Sequence, residues 1–123
     1  MKRDMELIRK MVLAIEDAPQ GYAPDDLGIE GYPPEQIDYH TYLLLDARLA
    51  DGERIDTMES DGPAAKLMNL TWAGHEFADA ARDETRWKKA MAVVQEKGGS
   101  VTLSVLTQLL TALMRGALGL PSL

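Results

Sequence analysis

The chain has 123 residues, 46% of them apolar and 27% charged, a formal net charge of −7 and no cysteine. That length supports one core with a helical extension and hardly two, and the missing cysteines exclude disulfides and thiolate metal sites. Met1 to Lys10 lacks the apolar run of a signal peptide, and Thr102, Ser104, Thr107, Gln108, Thr111 and Arg115 interrupt the apolar-rich stretch Val101 to Leu120, so a soluble cytoplasmic protein without a membrane role is expected.

Met5, Ile8, Met11, Val12 and Ile15 recur at helical spacing, with Lys2, Arg3, Glu6, Arg9 and Lys10 among them. This predicts an amphipathic helix that ends before Pro19. Residues 19–34, with four prolines and three glycines, read as a loop holding at most one short strand. Pro34 and Glu35 suit a first helical turn, and the stripe Ile37, His40, Leu43, Leu44, Ala47 and Leu49 continues that helix until Asp51-Gly52 breaks it. A β-hairpin is expected from Arg54 to Leu70 around the turn Ser60-Asp61-Gly62-Pro63. Thr71 caps a helix carrying Trp72, Phe77, Ala80 and Ala81 on its apolar side. Asp83 or Thr85 opens the next, which runs through Trp87, Met91, Val93 and Val94 and is closed by Lys97-Gly98-Gly99. Ser100 is expected to cap a final helix with the face Leu103, Leu106, Leu109, Leu110, Leu113 and Met114, which Val105 widens. The class is mainly α with a small β-hairpin (α+β), divided as residues 1–82 and a C-terminal helical extension 83–123. The apolar arc of that extension predicts a homodimer joined through the six residues of its face.

Charge is segregated along the chain. Residues 1–24 balance four acids against four bases, whereas residues 25–61 hold eleven acids against Arg48 and Arg54. Residues 62–123 hold seven bases and five acids. Glu35, Asp38, Tyr39, Tyr42, Glu53, Asp56, Glu59 and Asp61 form a candidate acidic, tyrosine-bearing surface for a protein partner. Arg82, Arg86, Lys88 and Lys89 form a basic cluster, with Arg82, Arg86 and Lys89 on one helix side, and are the nucleic-acid candidate, although salt links to Asp83 and Glu84 explain them as well.

Catalysis has little material here. There are two histidines, no Gly-x-Ser-x-Gly and no phosphate-loop glycines, so no enzyme, no cofactor and no small-molecule substrate are expected. His40 lies on an apolar stripe and reads as a hydrogen-bonded core histidine. His75 and Asp79 have the spacing of a metal-binding pair but lack a third ligand, and read as a solvated helix face.

Tyr39-His40-Thr41-Tyr42-Leu43-Leu44-Leu45-Asp46-Ala47-Arg48-Leu49 resembles the His-Leu-x-x-Leu-x-x-Ala-Gly-Leu recognition-helix run of winged-helix repressors of the ArsR and PadR types. Leu70-Thr71-Trp72-Ala73-Gly74-His75-Glu76-Phe77 resembles the Leu-Thr-x-x-Gly-x-x-Phe that follows their wing. Two positions depart from the pattern: Arg48 replaces a glycine in a left-handed turn, and Thr41 replaces a buried leucine. The opening Met1-Lys2-Arg3-Asp4-Met5-Glu6-Leu7-Ile8-Arg9 is similar to an uncharacterised family of small phage and prophage proteins, through Gly98-Gly99-Ser100-Val101. The resemblance implies a phage-type winged-helix regulator of transcription. The acidic helix and wing oppose docking on DNA through the usual face. They favour either DNA bound elsewhere or an acidic module that inhibits a host defence complex by occupying its nucleic-acid groove.

Overall fold

A computed structural model of the chain describes residues 1–55 and 62–121. It runs α1 (Met5–Glu16), α2 (Pro34–Asp46), β1 (Ala50–Arg54), β2 (Ala65–Leu70), α3 (Trp72–Ala81), α4 (Glu84–Glu96) and α5 (Leu103–Ala117). The architecture is mainly helical with one antiparallel hairpin, the α+β class expected from the periodicities. Two compact units divide the chain, Met1–Ala78 and Asp79–Leu123.

In the first unit Asp4 caps α1, its carboxylate accepting from the Leu7 amide at 3.1 Å. Leu7, Ile8, Met11, Val12 and Ile15 are buried as the spacing predicts. Arg9, which falls on the polar side in the sequence pattern, is buried too, beside Glu6 at 3.7 Å. The predicted loop forms no strand, but the Ala23 amide donates to the Met68 carbonyl at 2.7 Å and so lays the loop along β2.

The helix α2 ends earlier than its apolar stripe suggests. It stops at Asp46 because Arg48 takes a left-handed conformation, φ +59°, and turns the chain into β1. This is the position where the repressor pattern has glycine, and arginine there carries about 1 kcal/mol of strain. The hairpin consequently starts at Ala50 rather than Arg54. Asp51-Gly52, expected to break a helix, forms an irregular step in strand β1. The backbones come so close there that a Cβ on Gly52 would run into the Lys66 carbonyl.

Side-chain hydroxyls tie these elements together. Thr71 donates to the Arg48 carbonyl at 2.6 Å and accepts from the Gly74 amide at 3.0 Å, so one residue joins the end of α2 to the start of α3. A Cβ on Gly74 would strike the Leu49 carbonyl, which is the physical reason for glycine in Leu-Thr-x-x-Gly. Thr41 accepts from the Ala65 amide at 2.9 Å and donates to the Asp38 carbonyl, anchoring the first residue of β2 to α2. The departure from leucine at this position therefore has a structural use.

In the second unit Asp83 caps α4 through the Arg86 amide at 2.8 Å, and Trp87, Ala90 and Val94 are buried. Thr102, not Ser100, caps α5, accepting from the Val105 amide at 3.2 Å. Both residues have the hydroxyl, and the amide three residues after Thr102 is the one left unpaired by the first turn. α5 packs on α4, with Leu106 and Leu110 fully buried. Among the described residues no helix is long and apolar enough to cross a membrane.

Candidate interaction surfaces

Two surfaces predicted from charge can be placed. On the first unit Glu35 and Asp38 are exposed on α2, and Glu53 is exposed on β1. Asp25, Asp26, Glu30, Asp46 and Asp51 are exposed as well, so eight carboxylates face solvent between residues 25 and 55, against two arginines. Arg54 lies over the Tyr42 ring, 4.8 Å from its centroid, and Tyr42 in turn lies 6.0 Å from Tyr39. Both tyrosines are half-buried. Asp56, Glu59 and Asp61 lie outside the described residues.

The other two tyrosines separate. Tyr32 is half-buried with the Lys10 ammonium 5.3 Å from its ring, while Tyr22 is exposed. Trp72, placed on an apolar stripe by its spacing, is instead 82% exposed, with its indole N–H donating to Glu76 at 3.0 Å. Spacing missed it because Gly74, Phe77 and Ala78 are the buried face of this part of α3, and Trp72 falls outside that arc.

The basic cluster on the second unit is partly neutralised. Arg82 donates to Asp79 at 2.8 Å and Lys88 lies 3.8 Å from Glu84. Arg86 is half-buried, and its Nε is enclosed without a hydrogen-bond partner among the described residues. Lys89 is exposed. What remains for phosphate contact is mainly Arg86 and Lys89, a small set for an electrostatic footprint.

Both histidines are engaged with groups of the first unit. His40 is fully buried, its Nδ1 donating to the Gln36 carbonyl at 2.8 Å and its Nε2 accepting from the Asp4 amide at 2.9 Å. Those partners define the neutral Nδ1–H tautomer and make His40 the link between α2 and the start of α1. His75 Nδ1 lies 3.3 Å from a Glu16 carboxylate oxygen on α1. Among the described residues no group of three or more potential ligands comes together.

Residues 2–100 match the family model described as Hypothetical protein (DUF2513). The chain belongs to the DUF2513 family. Its match ends at the residues through which the similarity to an uncharacterised family was read, and α5 begins after it. This DUF2513 protein is also similar to an uncharacterised protein of Haemophilus influenzae strain Rd, 32% identical over 111 residues that cover 88% of this chain and 91% of the relative. No solved structure matches the chain.

Of the six α5 residues predicted for dimerisation, Leu106 and Leu110 are already buried inside the single chain, and Leu103, Leu109, Leu113 and Met114 are half-buried. The face chosen by leucine periodicity is thus largely the helix's inward side.

Proposed function

We propose that this DUF2513 protein is a non-enzymatic binding module whose first unit presents its acidic surface to a basic partner protein. The observation that carries this reading is the exposure of all eight described carboxylates from Asp25 to Glu53, on a surface where one of two arginines is stacked on Tyr42. Such a surface is complementary to a groove that holds nucleic acid, and complementary charge raises association rates and selects partners. With the phage or prophage setting suggested by the opening residues, the reading becomes that of an inhibitor that occupies the nucleic-acid groove of a host defence complex.

The experiment is affinity capture from host lysate with the wild type and with Asp38→Lys plus Glu53→Lys. A nucleic-acid-binding protein retained by the wild type and lost by the double variant is the expected result. Recovery of the same proteins by both chains counts against the acidic surface.

A second reading, a winged-helix regulator of transcription, is favoured by the order α1, α2, hairpin, α3 and by the left-handed residue at position 48. Against it, α2 offers Glu35 and Asp38 outward, and Thr41 is already engaged with Ala65. Under this reading DNA is bound by Arg86 and Lys89 on α4, off the usual face. A mobility-shift series at low salt decides it: binding must be detectable and must weaken in Arg86→Glu plus Lys89→Glu.

A further inference from the structure

The helix α5 is apolar on two adjacent faces. Leu103, Leu106, Leu110, Leu113 and Met114 form the inward one. Beside it runs a second strip, Val105, Leu109, Ala112 and Gly116, at intervals i, i+4, i+7 and i+11, the spacing with which side chains form a seam between two helices. Val105 is 53% exposed, Ala112 and Gly116 are exposed and Leu109 is half-buried. A Cβ added to Gly116 would meet nothing within 4 Å.

The end of this helix is held in a fixed geometry. The Leu120 amide donates to the Arg115 carbonyl at 2.8 Å, and the Gly119 amide to the Gly116 carbonyl at 3.1 Å. Arg115 Nε and Nη2 both donate to the Pro121 carbonyl, at 3.0 and 2.8 Å. Leu118, 69% exposed, and Leu120 therefore stand in water on an ordered backbone, which lowers the entropy lost when they are covered.

We propose that the strip Val105, Leu109, Ala112 and Gly116 is the contact between two copies of this chain, with their α5 helices packed antiparallel about a twofold axis. Charge selects the occupant. In a twofold contact the same patch meets itself, so a carboxylate next to the axis lies close to its own copy. In a chain of net charge −7, Glu96 is the last acidic side chain, and after it only Lys97 and Arg115 carry charged side chains. Of the other exposed large apolar residues, Met1, Tyr22, Ile55, Met68 and Trp72 belong to the unit with the acidic surface, Trp72 being itself bonded to Glu76, and Val93, 38% exposed, is on α4.

Side-chain size selects the direction. Antiparallel pairing sets Val105 against Gly116 and Leu109 against Ala112, large against small along the whole seam. Parallel pairing would set valine on valine and leave a void at glycine. Antiparallel helices also oppose their dipoles favourably. The contact uses residues distinct from the acidic surface, so its failure leaves the binding-module reading standing.

Sedimentation equilibrium of the full chain over roughly 1–200 μM, a range suited to a small interface, tests it. The expected result is a monomer–dimer equilibrium whose dissociation constant rises at least about tenfold in Ala112→Asp, because each copy then buries an unpaired carboxylate against Leu109 of the other copy. Far-UV circular dichroism should not change. Because the chain has no cysteine, direction can be read by oxidation: Val105→Cys with Gly116→Cys cross-links into a covalent dimer, and Val105→Cys alone does not. Eleven residues along one helix separate the two thiols by about 16 Å, so they cannot bridge within a chain. A wild type that stays monomeric, or a dimer indifferent to Ala112→Asp, overturns the interface. Efficient cross-linking by Val105→Cys alone overturns the antiparallel arrangement.

Discussion

Met1–Ala78 has an apolar core that includes Leu7, Met11, Val12, Leu44 and Phe77, and in addition its joints between elements carry polar groups engaged with one another: His40 holds the Asp4 amide, Thr41 holds the Ala65 amide, and Thr71 holds both the Arg48 carbonyl and the Gly74 amide. In Asp79–Leu123 the buried side chains are Ala80, Ala81, Trp87, Ala90, Val94, Leu106 and Leu110, and the polar side chains serve as caps and surface pairs. The difference teaches where each unit is vulnerable. A joint built from hydrogen bonds fails when one partner is removed, because the other is left unpaired. A joint built from hydrocarbon fails in proportion to the volume removed.

Four substitutions test that contrast. The largest effect is expected from Gly74→Val, which drives a branched side chain into the Leu49 carbonyl at the tightest approach between α3 and the end of α2. A loss of about 4 kcal/mol in chemical denaturation is expected, because backbone cannot move aside as a flexible side chain can. Leu110→Ala should cost about 3 kcal/mol by the same measurement, from lost transfer energy and a residual cavity at a fully buried position.

His40→Leu follows at about 2 kcal/mol. It keeps most of the volume but strips the Asp4 amide of its acceptor and the Gln36 carbonyl of a donor, so a loss well below 1 kcal/mol would show that the joint is apolar after all. The smallest effect has the opposite sign: Arg48→Gly should raise stability by about 1 kcal/mol, read as a shifted denaturation midpoint at unchanged slope, because glycine accepts φ +59° without strain.

The helices were the legible part of the chain. The spacing of Leu7, Ile8, Met11, Val12 and Ile15 in α1, and the cap at Asp83, express local rules that act within one or two turns. Boundaries set by contacts distant in sequence were less accessible. Gly52 reads as a breaker and is a point of close backbone approach in a strand, a fact fixed by Lys66 fourteen residues away. Trp72 reads as core by its type, yet the inward arc of α3 is set by small residues, Gly74 and Ala78, that let the backbone come close.

Of the candidate surfaces, charge composition identified the acidic one. Glu84 was legible as a partner of the basic cluster, and Lys88 lies 3.8 Å from it, but composition could not anticipate that Arg54 would lie on Tyr42 or that Arg82 would pair with Asp79. The seam proposed on α5 lies beside a stronger signal. Leu106 and Leu110 point inward, and of the strip Val105, Leu109, Ala112 and Gly116 the apolar periodicity selects only Val105 and Leu109.

The two tryptophans occupy opposite environments, Trp72 at 82% exposure in the first unit and Trp87 at 2% in the second. Each unit therefore carries its own optical reporter. Iodide in solution should quench the red-shifted emission of Trp72 and leave the blue-shifted emission of Trp87 almost untouched, so capture of a partner on the first unit and loosening of the second can be followed separately in one unlabelled sample.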